Sequence, residues 1–359
     1  MPRTQDLAGA TLDGVDLKAG TTYVNGKIRY CRVANADNVT LGRGITVITG
    51  AHHGVQVVGS DGFHAEGVKV TCEPGVVPVD STVGIYVRGG SGHAVVDTRI
   101  ERARIGITML EVDGFKIVSC DISGIGEDAI RVVGSRNGTI AKNQVHDFAD
   151  DDAPDVAPAK ATHRDGLQMF PFNNARKGVF GIENIEILNN LFFIGKGAEF
   201  TPIFNRTYTN TKTGKADPDR PDAINTSLIG NIAFTKGGHA IVMSGTGLIA
   251  DNLAAGYNDP ADKSHTIGKF SLTQWRGKTM NNAAEHWYRR ARDGSTWVKG
   301  WLPDGDGNRL IKPYSPREVT ETIATWRARY RPAKGAARST GLVAEALAFL
   351  QEQQARYEA

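Results

Sequence analysis

A short strand motif returns along this chain at the pitch of a single coil. A small residue precedes an alternating apolar strand at Gly54-Val55-Gln56-Val57, Gly84-Ile85-Tyr86-Val87 and Gly106-Ile107-Thr108-Met109. It does so again at Ala129-Ile130-Arg131-Val132, Gly166-Leu167-Gln168-Met169 and Ala240-Ile241-Val242-Met243. The starts at 84, 106 and 129 are 22 and 23 residues apart, the length of one turn of a β-solenoid. A second strand follows the first, as in Gly114-Phe115-Lys116-Ile117, Gly138-Thr139-Ile140, Asn184-Ile185-Glu186-Ile187 and Gly247-Leu248-Ile249. Aligning these strands brings Asn143, Asn190, Asn231 and Asn252 into register. Asn at a repeated turn adopts left-handed geometry at little cost and stacks its amide on the next coil. A sandwich or barrel of short antiparallel strands has no need for the same turn residue at the same phase of every coil, whereas a solenoid does, because each coil rests on its neighbour.

The expected fold is therefore all-β, a single-stranded right-handed parallel β-helix with a mixed α/hairpin C-terminal region. Residues 1–19 are expected to cap the first coil, 20–257 to form the solenoid, and 258–359 to cap the last coil or dock on a partner. Two interruptions stand out: the acidic loop Asp150 to Asp155, and a polar, turn-rich insertion from about Thr201 to Asp222. Both leave the middle coils, where they are placed to wall a groove. Past about Asn258 the repeat fades. Asn282-Ala283-Ala284-Glu285 reads as a capping box opening a helix that ends near Gly294. Trp297 to Leu310 reads as a hairpin with Asp-Gly turns, and Ser315-Pro316-Arg317-Glu318 opens a helix that Pro332 stops. Leu342, Ala346 and Leu350 mark one apolar face of a terminal helix.

Composition removes several function classes. The 359 residues carry a formal charge of only +3, too small for nucleic acid to be the main partner. No apolar run reaches about 18 residues, so no membrane span is expected. Cys31, Cys72 and Cys120 form no CxxC pair and read as small buried hydrophobes. The N-terminal stretch lacks the charged-then-apolar pattern of a signal peptide; the expected location is extracellular, or a virion released by lysis. His52-His53 has neither helical nor strand spacing for a metal pair, and Asp150 to Asp155 lacks EF-hand spacing. Neither a metal nor a cofactor is expected.

The residue just before each small-apolar start runs His53, Val83, Ile105, Asp128, Asp165 and, beyond one coil that resists alignment, His239. Apolar residues give way to carboxylates beside the insertions. Adjacent strands lie about 4.8 Å apart, so Asp128 and Asp165 are expected as neighbours. Close carboxylates repel, one holds its proton, and the pair divides acid and base work, which glycoside hydrolysis requires. Glu127, His163 and Arg164 flank them. Strict alternation points Asp128 inward with Ile130 and Val132, unless the alternation breaks after the turn. A plainer reading makes both residues turn-capping carboxylates.

Glu127-Asp128-Ala129-Ile130, Arg164-Asp165-Gly166-Leu167 and Gly238-His239-Ala240-Ile241 resemble the strand-start motifs of polygalacturonase-type glycoside hydrolases. His163-Arg164-Asp165-Gly166-Leu167-Gln168 is similar to a segment of many β-helix proteins, phage tailspikes among them. The order of the motifs differs from that of polygalacturonases, and their Arg-Ile-Lys motif has no counterpart, so pectin specificity is not implied. The resemblance implies a protein that cleaves a surface or capsular polysaccharide, with Asp128 and Asp165 as acid and base. Elimination instead would use His163 as base beside Arg164. Glu127, Gln168, His239 and Phe170 are the expected substrate contacts, with Phe172, Phe204 and Tyr208 available to stack on sugar rings or to cover the coil edge. The rival reading is a non-catalytic tail, spike or baseplate protein. Spikes of this kind are often trimers, which makes a homo-oligomer or other virion proteins the expected protein partners.

Overall fold

The computed structural model describes residues 3–149, 164–174, 178–193, 200–205, 223–235, 238–256, 268–273, 275–290, 297–299, 302–303 and 307–331. Each coil lays down three strands, one in each of three long sheets. The first coils show the pattern in Thr21–Val24, Gly26–Arg29 and Cys31–Ala34. The first and second sheets have twelve strands each and the third has eleven. Almost every pairing is parallel, each strand bonding its equivalent one coil on. Among the described residues two are antiparallel: Phe172–Asn174 with Gly178–Phe180, and His286–Arg290 with Trp297–Lys299.

Alternating apolar residues put one row of each strand into the shared interior. In the third sheet the register stacks Ile85 on Ile107, Ile130, Leu167, Ile203 and Ile241, all fully buried. The row continues into Phe270 and Trp287, whose rings stack at 4.6 Å and 11°. Burying such rows, at about 25 cal/mol per Å² of apolar surface, is what drives the coils together. Cys31, Cys72 and Cys120 are buried and form no disulfide.

The four Asn residues form one buried column. Asn143 N–H donates to Asn190 Oδ1 at 2.9 Å, Asn190 to Asn231 at 2.9 Å and Asn231 to Asn252 at 2.9 Å. Each Nδ2 also donates to a backbone carbonyl, as Asn190 does to Ile140 at 2.8 Å. The column runs on through Asn282 and Asn308. The left-handed residue is the one before each ladder Asn, namely Lys142, Asn189, Gly230, Asp251, Asn281 and Gly307. The ladder Asn does not make the turn; it fills the hole the turn leaves with donors and acceptors.

The solenoid extends past both expected ends. Arg3–Asp6 and Thr11–Asp13 already pair with the next coil, where a cap over residues 1–19 was expected. At the other end, Asn282–Glu285 opens no helix. Ala283–Ala284 and His286–Arg290 are strands of the second and third sheets. The Glu285 carboxylate accepts from Gly256 and Gly268 N–H at 2.7 and 2.9 Å, which bridges two neighbouring strand ends instead of capping a helix. Among the described residues, Trp297–Lys299 pairs with His286–Arg290 in the third sheet and Arg309–Leu310 with Ala283–Ala284 in the second, instead of with each other as the expected hairpin would require. Thr201–Asn205, placed in an insertion by the sequence, is a third-sheet strand against Asp165–Met169.

The helix at Pro316–Tyr330 forms as expected. Ser315 Oγ donates to Glu318 Oε2 at 2.6 Å, and Ser315 N–H does so at 2.7 Å, a capping box in which the Glu reaches back over the first turn. Contacts divide the chain into Met1–Val319 and Thr320–Ala359. In the second unit Trp326 is buried, with its ring 5.3 Å from Tyr330. Asp150 to Asp155, His163, Tyr208 and Leu342 to Leu350 lie outside the described residues. Among the described residues, no helix is long and apolar enough to cross a membrane.

Candidate functional site

The column ahead of the small residues runs down the corner between the second and third sheets. Asp128 pairs in register with Asp165, and Asp165 with Thr201. Thr201 is the missing member of the coil that the sequence could not align. His239 follows, one coil beyond Thr201 and roughly 10 Å from Asp165 along the stack, then Lys269 and His286. The carboxylates are thus direct neighbours, while His239 is separated from them by a full coil.

Asp128 faces outward despite its parity, and the small residue after it explains why. A Cβ on Gly166 would lie 2.6 Å from Phe192 Cδ1 and 2.5 Å from Pro202 O. The position therefore points toward the interior and the next coil, and at Gly166 it leaves no room for a Cβ. With residues 129 and 130 both directed inward and fully buried, alternation resumes one step late. Asp128 and Arg131 then share the outer face, as do Asp165 and Gln168.

The side chains record this sharing. Arg131 Nε donates to Asp128 Oδ2 at 2.6 Å, and its Nη2 lies 2.5 Å from the same oxygen. The same Nη2 donates to Glu127 Oε1 at 2.6 Å, while Arg104 Nε donates to Glu127 Oε2 at 2.7 Å. Gln168 Nε2 donates to Asp165 Oδ2 at 2.7 Å. Among the described residues, Asp128 Oδ1 is buried without a hydrogen-bond partner. Both aspartates are fully buried. Burial pushes the Asp128 carboxyl up to about 7; Arg131 opposes this and Asp165 reinforces it. Desolvation outweighs the guanidinium here because the ion pair is itself removed from water.

The remaining expected contacts are distributed over the same face. Arg164 precedes Asp165, with its carbonyl accepting from Thr201 N–H at 2.9 Å. Gln168 is in register with Phe204, and Phe170 with Val133; Phe170 and Phe204 are half-buried. His239 Nδ1 lies 2.8 Å from Ser271 Oγ, and burial, then Lys269, pulls its pKa down. Sequence reading assigned no role to Arg131, Arg104 or Thr201. The available signal was spacing: Arg131 stands three residues after Asp128, as Gln168 does after Asp165. After the Asp165–Phe170 strand, Phe172–Asn174 pairs antiparallel with Gly178–Phe180.

Residues 26–197 match the family model described as the right-handed beta helix region. The fold is that of a right-handed parallel β-helix. No curated protein matches the sequence. Among solved structures, the β-helix is similar to PfbA, a surface adhesin of Streptococcus pneumoniae, at 9% identity and a TM-score of 0.55, over 84% of this chain and 79% of that one. It is also similar to a hyperthermoactive exopolygalacturonase from Thermotoga maritima, at 11% identity and a TM-score of 0.44, over 81% and 87% of the two chains. A third likeness is to the tailspike protein of E. coli bacteriophage HK620, in complex with a pentasaccharide, at 10% identity and a TM-score of 0.46, over 74% of this chain and 47% of that one. At 9% identity the likeness to PfbA speaks for the fold alone.

Proposed function

We propose that this β-helix binds a long polysaccharide on the outer face of its third sheet and cleaves it by acid–base hydrolysis at the Asp128–Asp165 pair. The observation that carries the reading is the Asp128 carboxyl, raised to about 7 beside a second carboxyl one coil away. Such a pair holds one proton between two groups near neutral pH. Asp128 then serves as proton donor to the leaving oxygen, and Asp165, oriented by Gln168, as the base. Arg131 and Arg104 hold Glu127 and Asp128 in place. Solvent reaches neither aspartate, so a bound sugar has to displace Arg131 and Gln168 from in front of them. Polysaccharide-active and adhesive proteins share the fold, which supports a glycan partner at an extracellular or virion surface; assembly as a homo-oligomer, with three subunits as the first case to examine, belongs to the same reading.

The burial of both carboxyls and the Arg131 ion pair favour a second reading. There the pair is structural, and the β-helix is a non-catalytic glycan-binding component of a tail, spike or baseplate. Asp165→Asn separates the two, because it keeps size and hydrogen bonding while removing the titrating group. Catalysis requires turnover to fall by about 10²–10⁴ with the melting temperature preserved, measured as reducing ends released from a polysaccharide panel. Unchanged turnover per folded molecule in both Asp128→Asn and Asp165→Asn would leave the second reading. Ultraviolet absorbance of the products detects elimination, the route that would employ His163 and Arg164.

A further inference from the structure

The same corner of the solenoid carries a concavity three coils toward the N-terminus, roughly 14 Å from Asp128 along the stack. Its volume is about 520 Å³, and Asp16, Tyr30, Arg32, His52, His53 and Gln56 line it. That is within the range of small-ligand pockets. His53 stands in the column of Asp128, and Gln56 in the column of Arg131, as the registers Val55 to Ile85, Val83 to Ile105 and Ile107 to Ile130 require. The strand geometry that turns Asp128 and Arg131 outward thus does the same here. The turn 73–82 lies between the two places: a Cβ on Gly126 would be 2.8 Å from Val79 N, so this turn reaches the start of the Asp128 coil. Arg102 Nη2 to Val76 O at 2.9 Å and Arg104 N–H to Ser81 Oγ at 2.8 Å hold it there.

The lining is aromatic, rich in hydrogen-bonding groups, and balanced in charge. The His53 ring stacks on Tyr86 at 4.7 Å and 17°, and His52 meets Tyr30 edge-on at 5.1 Å and 83°. Arg32 clasps Asp16 through Nε–Oδ1 at 2.9 Å and Nη2–Oδ2 at 3.1 Å. Behind Tyr30, Glu73 is met by Arg29 at 3.1 Å, and Arg29 also reaches Asp13 at 2.9 Å. Burial, then the neighbouring His52, lowers the His53 pKa, which adds no positive charge. Each arginine here already faces a carboxylate. An anionic ligand would find no surplus cation, and a cation no surplus carboxylate. Uncharged rings that carry paired hydroxyls match what is offered. Their C–H faces pack on Tyr30 and His53, and their hydroxyls meet the Arg32–Asp16 fork and the Gln56 amide.

We infer that this pocket is a saccharide-binding exosite for uncharged sugar residues, separate from the Asp128–Asp165 pair. The inference rests on the reading of the partner as a glycan, but not on cleavage. It holds the polysaccharide at a point the turn 73–82 divides from the carboxylates, so binding here and chemistry there are separable.

The test uses the intact chain carrying Asp165→Asn, to prevent turnover, against defined neutral hexose and N-acetylhexosamine oligosaccharides and their uronic-acid counterparts. Dissociation constants come from calorimetry. A neutral member should bind, and His53→Ala and Gln56→Ala should each weaken it about tenfold or more, with melting temperatures close to that of the parent. Gln56, on the outer face, covers the case in which His53→Ala disturbs the coil. Binding of uronates alone, binding untouched by either substitution, or no binding to any member at millimolar concentration would each overturn the exosite. Loss of the exosite with Asp165-dependent cleavage intact leaves the proposed hydrolysis standing, and the converse result leaves the exosite standing.

Discussion

At the scale of single residues, the deciding quantity is where a proton resides. Asp128 is fully buried, and its folded-state pKa of about 7 lies above the ordinary 3.8. Below about pH 4 the folded and unfolded chains both carry the proton, and burial of the neutral acid is tolerated. Between about pH 4 and 7 the unfolded chain loses this proton while the folded chain keeps it, so stability falls relative to that acid limit, and the loss levels off once the buried group itself ionises above about 7. Asp128→Asn should flatten the fall in melting temperature between pH 4 and 8; a curve parallel to that of the unaltered protein would contradict the assignment. If Asp128 donates a proton in catalysis, the rate should also drop above about pH 7, on the alkaline side where the donor is lost. His146 provides contrast within the same fold. It lies between Asp121 at 3.0 Å and Asp147 at 2.6 Å, stacked on Phe193. Burial alone pushes it down, but the two carboxylates outweigh this and hold it above its usual value. Its contribution to stability is therefore present at low pH and lost as pH rises through the folded-state value, the same direction as for Asp128.

At the scale of the element, one small residue sets which side chains reach the surface. Gly84, Gly106, Ala129 and Gly166 occupy the same phase of successive third-sheet strands. The Cβ of an added side chain at Gly106 would approach Ala129 O at 2.5 Å, as at Gly166 it approaches Pro202 O. These contacts are with backbone, which yields little. Gly166→Ala should destabilise the protein by about 1–3 kcal/mol through overpacking and shift Asp165 relative to Gln168. Urea unfolding measures the first effect; a midpoint unchanged within error would refute the packing argument. Ala129 shows that one coil accommodates a methyl group, whereas at Gly54, Gly84, Gly106 and Gly166 the carbonyl of the next coil would stand within 3.0 Å of the added atom. The same small residue answers the question of parity that alternation alone left open.

At the scale of the whole molecule, coils support each other in one dimension, and the ends matter most. The column Asn143 to Asn308 crosses position 258 without a break, so a chain cut after Gly256 loses more than a cap. The Asn252 N–H that donates to Asn282 at 3.0 Å is left bare, as are the edges of the strands His239–Ser244, Gly247–Ala250 and Leu253–Gly256. Ile241 loses the covering row of Phe270 and Trp287. Open parallel edges pair with other chains, and the truncated protein should aggregate, as read by size-exclusion chromatography with light scattering. A monodisperse, fully active truncation would show that the later coils are dispensable.

The repeat, the parallel β-helix and the adjacency of Asp128 to Asp165 were legible in the sequence. Each depends on a period, and a period survives in the order of residues without any knowledge of packing. The later coils were not legible, because around Asn282-Ala283-Ala284-Glu285 a local helix-start pattern competed with a weak strand, and only the waiting edge of Leu253–Gly256 decided between them. Thr201 stayed hidden for a related reason: its strand, TPIFN, lacks the small-apolar start, and register with Asp165 is a contact between distant residues. The outward turn of Asp128, its grip by Arg131 and its retained proton belong to tertiary structure alone. They arise from which atoms surround a carboxyl once water has been excluded, and the order of residues by itself does not specify that.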